Sequence, residues 1–267
     1  MPRFKLTIEY AGTRYSGWQI QTNARTIAGE IDRAVRTVTS RNDFELYGSV
    51  RTDAGVHALA QVAHLDVSTS LPPEILRSRL NGELPADINV LAAVPVPHRF
   101  HARHDAQARR YLYQIARRRT AFSKAFVWWV KEPLSVGSMR EAACAFVGMR
   151  DFKSFVETDR EEPGEPPPST RVLIDRLDLV EDGDLLLVGI EGSHFLWKMV
   201  RRIVGVLAEI GRGGLSTDAT ARFLADASSA PARLTAPPSG LFLDRVYYKG
   251  DDRDATLHAA TPLVRHG

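Results

Sequence analysis

The pattern of apolar residues predicts an α+β protein made of two ferredoxin-like halves with mainly antiparallel sheets. Three observations carry this. Strand-period and helix-period segments alternate over the first hundred residues, and a similar order of elements returns in the second half. The chain, 267 residues and 44% hydrophobic, is long enough for two cores of ordinary size. The halves share element order without a repeat at residue level, and the division is placed at 1–106 and 107–267.

Residues 4–10 alternate, with Phe4, Leu6, Ile8 and Tyr10 on one face, which predicts a half-buried first strand. Thr26 is placed to cap a helix in which Ile27, Ile31, Ala34, Val35 and Val38 share a face. After the stretch "GSVRTDAGVHA", residues 48–58, the segment "QVAHLDV" alternates again, Ala63, Leu65 and Val67 facing one way and Val62, His64 and Asp66 the other. The prolines of "LPPEILRSRL" suit the first turn of a second helix, and the apolar run "INVLAAVPV" predicts the strand that closes the half.

In the second half "RRYLYQIARR" alternates around Tyr111, Tyr113 and Ile115. A capping box from Ser138 to Glu141 predicts a helix running to about Met149, with Cys144 in its core face. "RVLIDRLDLV" and "LLLVGIEG" flank "EDGD", whose Asp-Gly pair favours a hairpin. Leu196, Met199, Val200, Ile203, Val204, Leu207 and Ile210 then form the clearest helical stripe in the chain, which ends near "GRGG". Residues 157–170, rich in proline and acids and without periodicity, read as a surface loop, and the polar tail after Tyr248 reads as partly disordered.

Composition excludes several classes of protein. No apolar run reaches the roughly 20 residues that a membrane-spanning helix needs, and the start alternates instead of offering an apolar signal core, so a cytoplasmic protein without membrane attachment is expected. A single cysteine permits neither an internal disulfide nor a cysteine-cluster metal site. His101 and His104 in "FHARHDA" stand three apart without a third ligand, and no metal is expected. There is no glycine loop opening a helix after a strand, as a nucleotide cofactor would require, and no Gly-x-Ser-x-Gly elbow.

What remains is a basic and aromatic character with one conspicuous loop. The net charge of +3 is mild, but Arg99 to Arg119 supplies seven arginines and two histidines interleaved with Phe100, Tyr111 and Tyr113, and Arg201 and Arg202 add to Lys198. Guanidinium groups suit phosphates and aromatic faces suit unstacked bases, which makes RNA the leading partner. In "GSVRTDAGVHA", Arg51, Asp53 and His57 stand on small-residue backbone, and Asp53 is the loop's one candidate nucleophile or general base near neutral pH.

"RTDAGVHA" resembles the catalytic loop of the TruA-type tRNA pseudouridine synthases. "IEYAGTRYSGWQIQ", "LNGELPADINV", "FHARHDAQARRYLYQI", "DFKSF", "FLWKMVRRIVG" and "APPSGLFLDRVYY" resemble the same family, in the same order across nearly the whole chain. The resemblance implies two RRM-like halves joined around a central catalytic cleft, the pseudouridine synthase fold, with the aspartate loop in 1–106 and the active-site tyrosine and arginine in 107–267. It implies conversion of uridine to pseudouridine at positions 38–40 of the tRNA anticodon stem-loop, without cofactor or metal, by a homodimer. Residue by residue, Asp53 matches the essential carboxylate, which attacks C1′, attacks C6 or removes a proton to form a glycal; these alternatives stay open. Tyr111 matches the tyrosine that contacts the base, and Arg201 the arginine that pairs with the carboxylate. Arg51, His57, Arg109, Arg110 and Arg202 are the further expected RNA contacts. The chain departs from the family in carrying Val50 where glycine usually precedes the motif arginine, and Ala28 where glutamine is common. The competing expectations are a catalytically silent tRNA-binding or folding module on the same scaffold, and an N-glycosidase that releases the base to water.

Overall fold

The computed structural model describes residues 1–156, 169–254 and 256–263. The chain forms two compact units: Met1–Gln107 with Phe242–Asp254, and Ala108–Leu241 with Ala255–Gly267. Assignment of Phe242–Asp254 to the first unit distinguishes this division from a single cut at residue 106.

The first unit contains β1 (Arg3–Tyr10), α1 (Ile27–Thr39), β2 (Phe44–Gly48), β3 (His57–Val67), α2 (Pro73–Glu83) and β4 (Ile88–Val96). Its strand order is β4–β1–β3–β2 with antiparallel pairing throughout, the ferredoxin-like βαββαβ arrangement. β2 lacks a marked alternation, and its half-exposed residues explain why the sequence pattern passed over it. Thr26 caps α1, its Oγ1 accepting from the Gly29 N–H, and Ile27, Ile31, Ala34 and Val35 are buried as the stripe requires. α2 packs on β4 and on α1. The outer edge of β3 is shared: its end, Ala63–Val67, pairs with β2, while His57 and Ala58 pair in parallel with Phe242 and Leu243 of β10 (Leu241–Tyr247).

The second unit contains β5 (Ala108–Ala116), the short β6 (Trp128–Trp129), α3 (Val136–Ala143), β7 (Gly148–Asp151), β8 (Arg171–Asp182), β9 (Leu185–Gly192), α4 (Met199–Gly211), α5 (Ala219–Ala225) and α6 (Ala230–Arg233). β5, β9, β8 and β7 are antiparallel neighbours in that order, and β6 lies parallel to β5. The β8–β9 hairpin closes where Gly183 takes a φ of +56°, which glycine adopts without strain. Every residue of β9 is buried, so it reads as a continuous apolar run.

Three expectations change. α3 is capped by Ser135, whose Oγ accepts from the Ser138 N–H; it ends at Ala143, a 3-10 turn over Cys144–Phe146 follows, and the chain becomes extended at Val147 before Gly148, at φ +95°, starts β7. Cys144 is exposed, its Sγ turned to the Arg140 carbonyl, so it does not pack in the core. The described part of the tail is anchored: Leu257 is buried against Gly189, and the Gln114 Oε1 accepts from the N–H of Ala260 at 2.8 Å. The expected loop at 157–170 falls outside the described residues up to position 168.

Candidate active site

The first unit presents Arg51, Asp53 and His57 between β2 and β3 on a turn fastened from both sides. On one flank Val50 is held by Gln61, fully buried on β3, whose carboxamide accepts from the Val50 N–H at 3.3 Å and donates to its carbonyl at 2.8 Å. On the other flank the Val56 N–H donates to the Asp53 carbonyl at 3.2 Å, closing a tight turn through Gly55 at φ +78°. Asp53 is half-buried on this turn and Arg51 is exposed.

The segment Gly12–Trp18 forms the floor beneath the turn. The Trp18 N–H donates to the Thr52 carbonyl at 3.0 Å and the Gly55 N–H to the Tyr15 carbonyl at 3.3 Å. The hydroxyls of Tyr10 and Thr52 lie 2.8 Å apart, both buried, and burial raises the Tyr10 hydroxyl well above the usual phenol range, so it stays protonated. Gly12 and Gly17 are required here. A Cβ on Gly12 would meet the Val56 carbonyl oxygen at 1.9 Å, and one on Gly17, at φ +92°, would meet that of Thr52 at 2.6 Å. The contact that makes "AGTRYSGW" indispensable is thus with the aspartate loop, 35 to 45 residues away in sequence and visible to no periodicity.

The Val50 departure has a physical answer. Val50 has no positive φ, and the Gln61 clamp uses only main-chain atoms, so a valine fits where a glycine would also serve. Ala28 is buried with its N–H on the Trp18 carbonyl at 3.0 Å.

His57 is 1% exposed, its Nδ1 accepting from the Gly12 N–H at 3.0 Å while its ring stacks on Phe242 at 4.8 Å. It fastens the loop to its floor. Arg110 and Arg202 are each 4% exposed. Arg109 is half-buried, with Nη1 donating to the Ser193 carbonyl at 2.8 Å.

In the second unit Tyr111 stands on β5, 7% exposed, with Phe195 edge-on to its ring at 5.1 Å. Arg201 lies in the first turn of α4, half-buried, its Nε donating to the Ala236 carbonyl at 2.7 Å while the Ala236 N–H returns to the Arg201 carbonyl at 3.0 Å. The helix approaches this segment closely because Gly205 has no side chain; a Cβ there would meet the Leu234 carbonyl oxygen at 1.6 Å. Tyr113, fully buried, donates to the Pro237 carbonyl at 2.8 Å, and burial drives its hydroxyl pKa well up, against a smaller opposing effect of Arg201. The residue before α4, Lys198, takes the left-handed conformation at φ +57°, with its ammonium 3.7 Å from the Trp197 ring centre. The "APPSG" segment therefore supports the arginine, a role that its sequence alone does not reveal. No cluster of metal-ligating side chains occurs among the described residues.

Two α+β units, one carrying a carboxylate on a fastened turn and the other a helix-borne arginine, are the setting in which the comparisons with known proteins fall. A profile described as tRNA pseudouridine synthase matches residues 6–105 and 142–249, and the chain belongs to that family. More particularly, it is 40% identical over 253 residues to tRNA pseudouridine synthase A of Nitrobacter winogradskyi, covering 94% of this chain and 97% of that one. The protein of the same name from Rhodopseudomonas palustris is 42% identical, with 93% and 100% covered, and that from Halalkalibacterium halodurans is 39% identical, with 92% of each covered.

Proposed function

We propose that this chain is an isomerase that converts uridine to pseudouridine in tRNA, at positions 38–40 of the anticodon stem-loop, acting as a homodimer in the cytoplasm without cofactor. Family membership supports the reaction class. The structural observation that carries the reading is Asp53: a half-buried carboxylate on a turn whose flanks are fixed by Gln61, Trp18 and Gly55. A positioned carboxylate is what the chemistry needs, because the C1′–N1 bond must break, the base must turn, and C5 must join C1′ as it gives up its proton while N1 gains one.

In this reading Asp53 is the essential carboxylate and Tyr111 faces the base, with its hydroxyl near the C5 proton. Arg201 supplies the positive charge that favours an ionised carboxylate. A target base within a stem must leave the stack to be reached, and small residues at Ala54 and Gly55 let a nucleotide approach the backbone there. Arg51, exposed beside the turn, is assigned to the phosphates or to the gap left by the extruded base.

The test is digestion of a tRNA transcript to nucleosides after incubation with the enzyme. The expected result is pseudouridine in the digest, mapped to the anticodon stem-loop, with RNA mass unchanged and no free uracil. Free uracil would replace the isomerase with a glycosidase.

A further inference from the structure

A basic and aromatic loop of the second unit, between β5 and β6, contains none of the residues assigned to the candidate active site. The chain leaves β5 at Ala116 and returns as β6, where Trp128 and Trp129 pair with Ile115 and Ala116. Between them Phe122 is 98% exposed, and Trp129 beside the loop's base is 43% exposed. The loop backbone is tied down: the Ser123 N–H donates to the Thr120 Oγ1 at 3.3 Å and the Phe126 N–H to the Ser123 carbonyl at 2.8 Å, so the phenyl ring projects from turns with defined hydrogen bonds.

The cations around it fall into two kinds. Arg117 and Arg118 are ion-paired with Glu181 at 2.6 Å and Asp184 at 2.5 Å. Exposed Arg119, Lys124 and Lys131 have no ion pair among the described residues, and the Arg119 guanidinium lies 5.9 Å from the Trp129 ring centre. Exposed rings among uncompensated cations are the composition of a surface that stacks unpaired bases and neutralises the phosphates between them. A second copy of the chain fits less well, because a self-complementary contact centred here would bring the same three cations face to face.

We infer that the loop 117–131 is a second RNA contact surface, on which Phe122 and Trp129 stack unpaired bases of the tRNA while Arg119, Lys124 and Lys131 hold the adjoining phosphates. This rests on the tRNA reading above. The test measures binding by fluorescence anisotropy over a range of salt, with an end-labelled tRNA transcript and a fully paired RNA duplex of similar length as probes. Stacking of one base is worth about 1–3 kcal/mol, so Phe122→Ala with Trp129→Ala is expected to weaken tRNA binding about fivefold or more and to leave duplex binding unchanged. Replacing Arg119, Lys124 and Lys131 with glutamine is expected to reduce the log-log salt slope for tRNA by about 2, at roughly 0.7–0.9 per phosphate contact. All five side chains are replaced without touching the core, and circular dichroism checks that the fold is kept.

Wild-type affinity and salt slope in both variants would overturn the surface, and so would equal weakening toward tRNA and duplex. A changed oligomeric state of the Phe122→Ala, Trp129→Ala protein in RNA-free sedimentation would reassign the patch to a second copy. Wild type that neither binds nor modifies tRNA would overturn the tRNA reading itself, whereas active wild type with indifferent variants would overturn the surface alone.

Discussion

Val50, Thr52, Gly55 and His57 are each fastened by a partner distant in sequence. Asp53 and Arg51 were singled out as candidates by their chemistry, a carboxylate and a guanidinium on small-residue backbone. Gln61 was not: within "QVAHLDV" it reads as an ordinary polar strand residue, and its task appears only when β3 folds back beneath Val50. His57 was legible as a candidate, but its burial and its hydrogen bond to Gly12 were not, because neither can be inferred from the neighbours of a histidine in sequence. Replacing Gln61 by leucine leaves the Val50 N–H and carbonyl without their partner, a loss of about 1–3 kcal/mol for each group that stays buried. The expected outcome is a fall in kcat of tenfold or more with tRNA affinity nearly unchanged, read from single-turnover rates and from equilibrium binding; an unchanged kcat would remove the clamp from the account. Acid should act through His64, which is buried, accepts from the Ala102 N–H at 3.1 Å, and has its pKa lowered by burial first and then by Arg3 and His101. A histidine whose folded pKa lies below its unfolded value is neutral in the fold, so stability declines as pH falls below about 6.5, toward the lowered value. His64→Asn keeps an acceptor for Ala102 without titrating, and is expected to lose less stability than wild type between pH 7.5 and 5.5 in urea melts. Equal losses would place the acid sensitivity elsewhere.

At the scale of elements, strong periodicity was read correctly and short or half-exposed elements were missed. α1 and α4 have wide apolar stripes, and Thr26 announces the first of them. β2, β6 and β7 are five residues or fewer and gain their place from neighbours rather than from pattern, while α3 stopped earlier than its periodicity suggested, giving way to a 3-10 turn over Cys144–Phe146. Two helical glycines separate packing from propensity. Gly205 lies where a Cβ would strike the Leu234 carbonyl oxygen, so Gly205→Ala is expected to destabilise by about 1–3 kcal/mol, the cost of overpacking, and to lower activity by displacing the segment that holds Arg201. Gly82 on α2 has nothing within 4 Å of its added Cβ, and Gly82→Ala is expected to stabilise by about 0.4–1 kcal/mol. Thermal melts of the two variants decide this, and a Gly205→Ala protein as stable and active as wild type would contradict the proposed helix contact.

For the molecule as a whole, repeated element order gave the α+β class and two halves. What it could not give was that Phe242 and Leu243, late in the chain, pair with the start of β3 in the first unit. That pairing joins residues nearly two hundred apart, and no local pattern encodes it. Across both units the account has one centre, an Asp53-dependent rearrangement of uridine in tRNA. Binding alone requires cations and no carboxylate, so the carboxylate separates an enzyme from a silent binding module. The most direct measurement is tritium release from tRNA transcripts labelled at C5 of uridine, with wild type and Asp53→Asn in parallel. The account predicts release by wild type, none by the variant, and tRNA affinities of the two within about tenfold, or 1.4 kcal/mol. Release by Asp53→Asn, or none by a wild type that binds tRNA tightly, would contradict it.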